Sequence, residues 1–214
     1  MEENLTRTIR ENYDRLAEEY TRHLSDELKG KPLDRELLDR FAAEVGRQGK
    51  VCDIGCGPGH VTRYLRDAGV NIFGLDLSSG MVEQARQQNP GISFQVGDMT
   101  AIDLPDQSLA GIVAFYAIVN IPEASLSSVF REMWRVLQPK GRLVLSFHIG
   151  DEIIRPDALF GQPISMEFFF FQPIDIRRML EAEGFEIKDV VERGPYSPDV
   201  EYQSRRAYIF AQKL

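Results

Sequence analysis

Apolar residues in the first thirty positions recur at steps of three and four. Ile9, Tyr13, Leu16, Ala17, Tyr20, Leu24 and Leu28 fall on one stripe, which predicts an amphipathic helix. Lys29-Gly30-Lys31-Pro32 interrupts the stripe, and residues 33–45 repeat the helical period up to Gly46. Beyond residue 50 the rhythm changes. Short apolar runs at 51–54, 71–75, 92–96, 109–115, 142–149, 185–191 and 206–212 predict seven strands. Amphipathic stretches beginning at His60 and at 78–88, 122–137 and 174–183 predict the helices between them. Ser78 is a candidate N-cap. Pro139-Lys140-Gly141 and Gly184 are expected to end the two later helices.

Strands that are apolar throughout and alternate with helices predict an α/β fold, a mostly parallel sheet with helices on both faces. The link after Arg193 is too short for a helical crossover, so the last strand is expected to run antiparallel to its neighbour. Residues 150–172 break the alternation with Arg155-Pro156-Asp157, Gly161-Gln162-Pro163 and four consecutive phenylalanines at 168–171. No internal repeat or linker divides the chain, so residues 1–214 read as one domain.

With 25 Lys and Arg against 33 Asp and Glu, the net charge of −8 argues against nucleic acid as the main partner. The longest apolar run, residues 109–119, falls short of the ~20 residues that span a bilayer. The acidic start Met1-Glu2-Glu3-Asn4 lacks the pattern of a signal peptide, so no membrane association and a cytoplasmic location are expected. Cys52 and Cys56 have no further cysteine to complete a metal site, and no metal is expected. The chain is expected to be a monomer or a homodimer.

The informative segment is Asp53-Ile54-Gly55-Cys56-Gly57-Pro58-Gly59-His60, a glycine turn between a strand and a helix. Dinucleotide enzymes use a similar G-x-G-x-x-G turn, but the third glycine of that pattern is here His60. Charge discriminates further. Asp53 precedes the turn, Asp76 ends the second strand, and Asp98 follows the third. At ~4 Å and an effective dielectric of ~20, a unit charge pair is worth ~4 kcal/mol before desolvation. Three carboxylates therefore oppose a pyrophosphate and favour an ammonium or sulfonium bearing free hydroxyls and amines. S-adenosylmethionine carries these groups and lacks phosphate.

On these residues the chain resembles a class I S-adenosylmethionine-dependent methyltransferase, of the type 11-like subgroup that acts mostly on small molecules. The resemblance is carried by Tyr13-Asp14-Arg15-Leu16-Ala17-Glu18-Glu19-Tyr20, residues 51–59, Gly74-Leu75-Asp76-Leu77-Ser78, Gly97-Asp98-Met99, residues 137–142 and Leu180-Glu181-Ala182-Glu183-Gly184-Phe185. It implies a Rossmann-like, doubly wound seven-stranded sheet, with residues 1–48 as an N-terminal helical lid and 49–149 as the cofactor-binding core. Residues 150–172 would cap the substrate, and 173–214 form the C-terminal helix and hairpin.

The resemblance also implies roles. Asp53 and the Gly55 backbone would hold the methionine ammonium, Gly57 would let the chain pass close to the cofactor, and Cys56 and Gly59 would also belong to the cofactor-binding loop. Asp76 would accept the ribose hydroxyls, Leu77 would pack on the adenine, and Asp98 with Met99 would meet the adenine amine. Phe115 would border the sulfonium, and Tyr13 would close over the cofactor from the lid. Two departures stand out. Ser108-Leu109-Ala110-Gly111 lacks the acidic residue that many relatives carry before the fourth strand. Phe115-Tyr116-Ala117-Ile118 is not the Asn/Asp-Pro-Pro-Tyr/Phe motif of enzymes acting on DNA bases or glutamine amides.

Methyl transfer demands in-line geometry more than a special functional group, although an acceptor that carries a proton needs a base. His148, at the end of the fifth strand, is the candidate base. The alternative is a histidine that bonds locally. His60 is expected to shape the turn, His23 to face solvent, Tyr20 and Trp134 to pack in the core, and Asp14 and Arg15 to lie on the surface. Tyr116, Glu167, Phe169 and Tyr196 are candidates for the acceptor pocket, and Tyr202 and Arg205 lie on segments that can reach it. The phenylalanine run is either a pocket wall or a strand covered on both faces. The leading reading is methyl transfer to oxygen, nitrogen or carbon of a small-molecule acceptor, with S-adenosylhomocysteine as product. The alternatives are an inactive regulatory subunit that binds S-adenosylmethionine and, disfavoured by Asp53 and His60, a nicotinamide dehydrogenase.

Overall fold

A computed structural model describes residues 2–214, with side chains from residue 4 onward, so Met1, Glu2 and Glu3 lie outside the described side chains. Helix α1 (Glu2–Leu24) leads through a short 3-10 turn to α2 (Pro32–Val45). The core then alternates β1 (Val51–Ile54), α3 (His60–Asp67), β2 (Ile72–Asp76), α4 (Ser79–Gln88), β3 (Phe94–Val96), β4 (Leu109–Phe115), α5 (Glu123–Val136) and β5 (Leu137–His148). Four two-residue strands follow, β6 (Ile153–Ile154), β7 (Ala158–Leu159), β8 (Gln162–Pro163) and β9 (Phe168–Phe169). Helix α6 (Pro173–Ala182), β10 (Phe185–Arg193) and β11 (Arg206–Lys213) complete the chain.

Seven strands form one sheet in the order β10-β11-β5-β4-β1-β2-β3. Only β11 runs antiparallel to its neighbours, as its short connection predicts. The strand order reverses at β1, which pairs with β2 on one side and β4 on the other. In open α/β sheets, ligands bind outside the carboxyl ends of the strands at such a switch point. Leu126, Phe130, Met133, Ile176 and Leu180 of α5 and α6 pack on one face. Leu37, Leu38, Phe41, Val61 and Leu65 of α2 and α3 pack on the other. No helix among the described residues is long and apolar enough to cross a membrane.

Two local expectations change, and the phenylalanine run follows the second of its two readings, a strand covered on both faces. Helix α1 stops at Leu24, yet Leu28 remains buried because the 3-10 turn keeps it on the packed side. Strand β5 starts at Leu137, so Pro139-Lys140-Gly141 does not separate it from α5. Lys140 adopts a left-handed φ of 65°, and the register against β4 slips between Leu109 and Gly111. The phenylalanine run alternates faces. Phe169 and Phe171 join the main core, whereas Phe168 packs with Leu16, Ile164 and Met166 beneath α1. Residues 150–172 thus form two small ribbons, β6–β9 and β7–β8, and close with α1 over the carboxyl edge of the sheet.

Candidate functional site

A cavity of about 100 Å³ lies at the switch point, roofed by α1 and floored by the carboxyl ends of β1, β2 and β4. Tyr13, Gly55, Gly57, Asp76, Leu77, Asp98, Met99, Phe115 and Tyr116 line it, nine residues singled out from the sequence. The chain also brings Thr6, Ile9, Tyr20, Met81, Thr100 and Asn120 to the wall. The glycine turn makes this possible. Gly55 has φ 67°, and a Cβ there would lie 2.7 Å from the Cβ of Ala117, so a side chain would wedge β1 away from the turn after β4.

Asp76 is poised by backbone donors. Its Oδ2 accepts from Gly57 N at 2.8 Å and its Oδ1 from Ser78 N at 2.9 Å. Burial pushes its carboxyl up to about 6, the two N–H bonds oppose the rise, and the Asp14 carboxylate adds to it. Asp98 Oδ1 accepts from Thr100 N and Oγ1 at 2.8 and 2.7 Å, which sets the turn after β3. No Lys, Arg or His lines the described cavity wall, so it offers carboxylates and no cation. That donor set fits a cationic, phosphate-free nucleoside and opposes a diphosphate.

Other residues lie elsewhere. Asp53, 1% exposed, does not line the cavity. Its Oδ2 accepts the Thr62 hydroxyl at 2.6 Å and ties β1 to α3, and burial pushes it up to about 7. Cys56 is buried behind the loop and Gly59 caps α3. His148 also stays outside. Its Nδ1 meets Ser204 Oγ at 2.6 Å and its ring stacks on Phe170 at 4.9 Å. Burial, with Arg206 and Lys31 nearby, lowers it to about 3. Of the remaining acceptor-pocket candidates, Phe169 is core, Glu167 pairs with Arg155, and the Tyr196 hydroxyl accepts from Leu33 N at 2.9 Å. None of these three lines the cavity.

Several roles were not visible in the linear chain. Asn120 Oδ1 accepts the Tyr13 hydroxyl at 2.7 Å, and its Nδ2 donates to the Glu167 carbonyl at 2.6 Å, so it joins α1, the turn after β4 and the segment 150–172. A lone polar residue inside the run 117–121 was the available signal. Asp14 is not a free surface acid, because its Oδ1 accepts from Ser78 Oγ at 2.6 Å and Gly80 N at 2.8 Å. Arg15 is exposed and bonds Asn12. Tyr20 lines the cavity as well as packing edge-on against Tyr13. His23 is exposed but stacks on Phe160 at 4.3 Å. His60 reaches back to Glu27 at 2.8 Å, which ties the loop to the turn after α1.

Beside the cavity lies a buried charged network. Asp34 pairs with Arg193 at 3.0 Å, and Glu201 pairs with Arg193, Arg206 and Lys31. Tyr116, at a left-handed φ of 54°, presents its ring to Lys31 and Arg206 at 5.6 and 5.7 Å and its hydroxyl to Tyr208 at 3.2 Å. Tyr202 is exposed and Arg205 pairs with Glu192.

A glycine turn at the switch point of this sheet, with acids at the next two strand ends, defines a Rossmann-like methyltransferase fold. Residues 51–141 match the methyltransferase domain family. Over that segment the chain is similar to the class I S-adenosylmethionine-dependent methyltransferases. It is 31% identical over 127 residues to the demethylmenaquinone methyltransferase of Beutenbergia cavernae, covering 59% of this chain and 51% of that one. It is 32% identical over 141 residues to the malonyl-[acyl-carrier protein] O-methyltransferase of Enterobacter lignolyticus, covering 66% and 53%. The chain thus spans about half the length of these curated relatives. The magnesium protoporphyrin IX methyltransferase of Synechocystis, solved with S-adenosylhomocysteine, shares the fold with a TM-score of 0.75 at 16% identity, over 98% of this chain and all of that one.

Proposed function

We propose that this protein transfers the methyl group of S-adenosylmethionine to a small-molecule acceptor. The observation that carries the reading is the cavity wall, which presents Asp76 and Asp98 and no cationic side chain. In this reading Asp76 accepts from the ribose hydroxyls, Leu77 packs on the adenine face, and Asp98 and the Met99 backbone meet the adenine amine. The Gly55–Gly57 backbone passes beside the methionine end, and Asp53 holds that turn in place through Thr62. Bound there, the cofactor supplies an electrophilic methyl on a sulfonium.

The chain's own residues contribute position and dryness. Tyr13 and Tyr20 roof the cavity, Asn120 fixes Tyr13, and Phe115, Tyr116 and Ile121 wall the β4 side. Holding reactants in line is worth up to ~7–11 kcal/mol in favourable cases. Burial raises the Tyr13, Tyr20 and Tyr116 phenols, which makes them poor proton donors to solvent. His148 is withdrawn from the cavity and is a weak base. The reading therefore favours an acceptor whose attacking atom needs no proton removed before attack, such as a neutral amine or a nucleophilic carbon. An anionic acceptor would meet the same carboxylates that oppose a diphosphate. The named acceptors of the relatives, demethylmenaquinone and a malonyl carrier protein, differ from each other, so neither is transferred to this chain.

Calorimetry tests the cofactor. S-adenosylhomocysteine is expected to bind in the micromolar range or tighter, and NAD to give no heat; the reverse order overturns the reading. Release of S-adenosylhomocysteine against carboxylates, phenols, alcohols and amines then tests the acceptor. Turnover confined to carboxylates or alcohols would contradict that preference.

A further inference from the structure

We infer that Asp14 is the latch through which helix α1 controls exchange of the bound cofactor, a positioning role that rests on reading the cavity as the S-adenosylmethionine site. Asp14 itself does not line that cavity. Its side chain leaves α1 and enters the amino end of α4, where Oδ1 accepts from Gly80 N at 2.8 Å, Ser78 Oγ at 2.6 Å and Ser79 Oγ at 3.3 Å. Ser78 is also the N-cap of α4, accepting from Met81 N at 3.0 Å. Its hydroxyl proton goes to the lid while its lone pair caps the helix. One exposed amide of α4 is thus satisfied from within and another by a residue of the lid.

The contact is built for close approach. A Cβ at Gly80 would lie 3.0 Å from the Asp14 carbonyl oxygen, 3.1 Å from its Cα and 3.2 Å from Ala17 Cβ. Two of those atoms are backbone, so a side chain at position 80 would push α1 off α4. The same turn reaches the site, since Ser78 N donates to Asp76 at 2.9 Å. Tyr13, the residue before Asp14, is bonded to Asn120 on the opposite rim. Successive residues of α1 therefore pin the roof to both sides of the cavity.

That roof leaves little room beneath it, although part of the cavity stays open to solvent. The cavity of about 100 Å³ is well below the ~300–1,000 Å³ usual for ligand pockets. Moving α1 outward makes room for a nucleoside, and that movement breaks the Asp14 bonds. The latch sets the exchange rate without touching the ligand.

Surface plasmon resonance of the immobilised full chain, with S-adenosylhomocysteine as analyte, reads this directly. Asp14→Ala is expected to raise both association and dissociation rate constants, dissociation by about tenfold or more, as the loss of charge-assisted hydrogen bonds implies. Asp14→Asn, which keeps an acceptor oxygen, should lie between it and the parent. Gly80→Ala leaves every charge in place and wedges the helices apart, so it should also speed exchange. It keeps the test open if Asp14→Ala does not fold. A merely structural role would lower the melting temperature and leave the rate constants alone. Parent-like rates, within twofold, in Asp14→Asn and Gly80→Ala would overturn the latch while leaving the cofactor site standing. Absence of binding to the unaltered chain would overturn both.

Discussion

Asp53 Oδ2 accepts the Thr62 hydroxyl at 2.6 Å, so the first acid of the glycine segment faces helix α3 and not the cavity. That oxygen is committed to Thr62 beneath the glycine loop. Thr62→Val strands a buried carboxyl and is expected to destabilise the fold by about 1–3 kcal/mol. Urea denaturation measures this, and an unchanged midpoint would show that the bond contributes nothing.

Asp53 also sets a sign for stability against pH. Its folded value of about 7 lies above the ordinary ~3.9 of an unfolded aspartate. The folded state therefore binds the extra proton between those values, and stability falls as pH rises from about 4 to about 7. Above that window the loss is complete. Asp53→Asn keeps an acceptor for Thr62 and removes the titration. Relative to the parent, the variant should gain stability as pH rises from 5 to 8; parallel curves would contradict this.

Asp76 governs binding in the same range. Ribose hydroxyls donate best to its ionised form, and burial holds its carboxyl up to about 6. Affinity for S-adenosylhomocysteine should be flat above pH 7 and fall as pH drops through 6. Asp76→Ala should weaken binding by about 1–3 kcal/mol and abolish that slope. Calorimetry from pH 5 to 8 decides it, and an unaltered dissociation constant in the variant would remove Asp76 from the site.

Asn120 holds three segments, and its loss should be felt at a distance. Asn120→Ala leaves the Tyr13 hydroxyl and the Glu167 carbonyl without partners, at about 1–3 kcal/mol. Cofactor affinity should fall with it, and Tyr13→Phe added to Asn120→Ala should cost little more. Additive losses in that double-mutant cycle would deny the coupling.

His148→Ala should lower stability, because the ring stacks on Phe170 and bonds Ser204. Turnover by the folded variant should change only a few-fold, and its pH profile should match the parent's. A drop of the ~100-fold or more that a general base supplies would return His148 to the chemistry.

Much of this protein was legible in its linear chain, and what was legible was local. Short apolar runs and period-3.6 apolar patterns placed the seven strands of the main sheet and the helices between them. The turn at Gly55–Gly57 followed from glycine spacing, and Asp76 and Asp98 from their places at strand ends. These features depend on residues a few positions apart. Direction was another matter. All four positions of β1 are buried, so no alternation told which way Asp53 points. His148 ends a strand at the edge where the site opens, but only the packing of Phe170 and Ser204 turns it aside. Asp14 finds Ser78 and Gly80 across 64 and 66 residues, Tyr13 finds Asn120 across 107, and Asp34 finds Arg193 across 159. Such pairs leave no mark in local periodicity. They exist because the sheet brings the ends of distant strands to one edge, and only folding decides which side chains meet there.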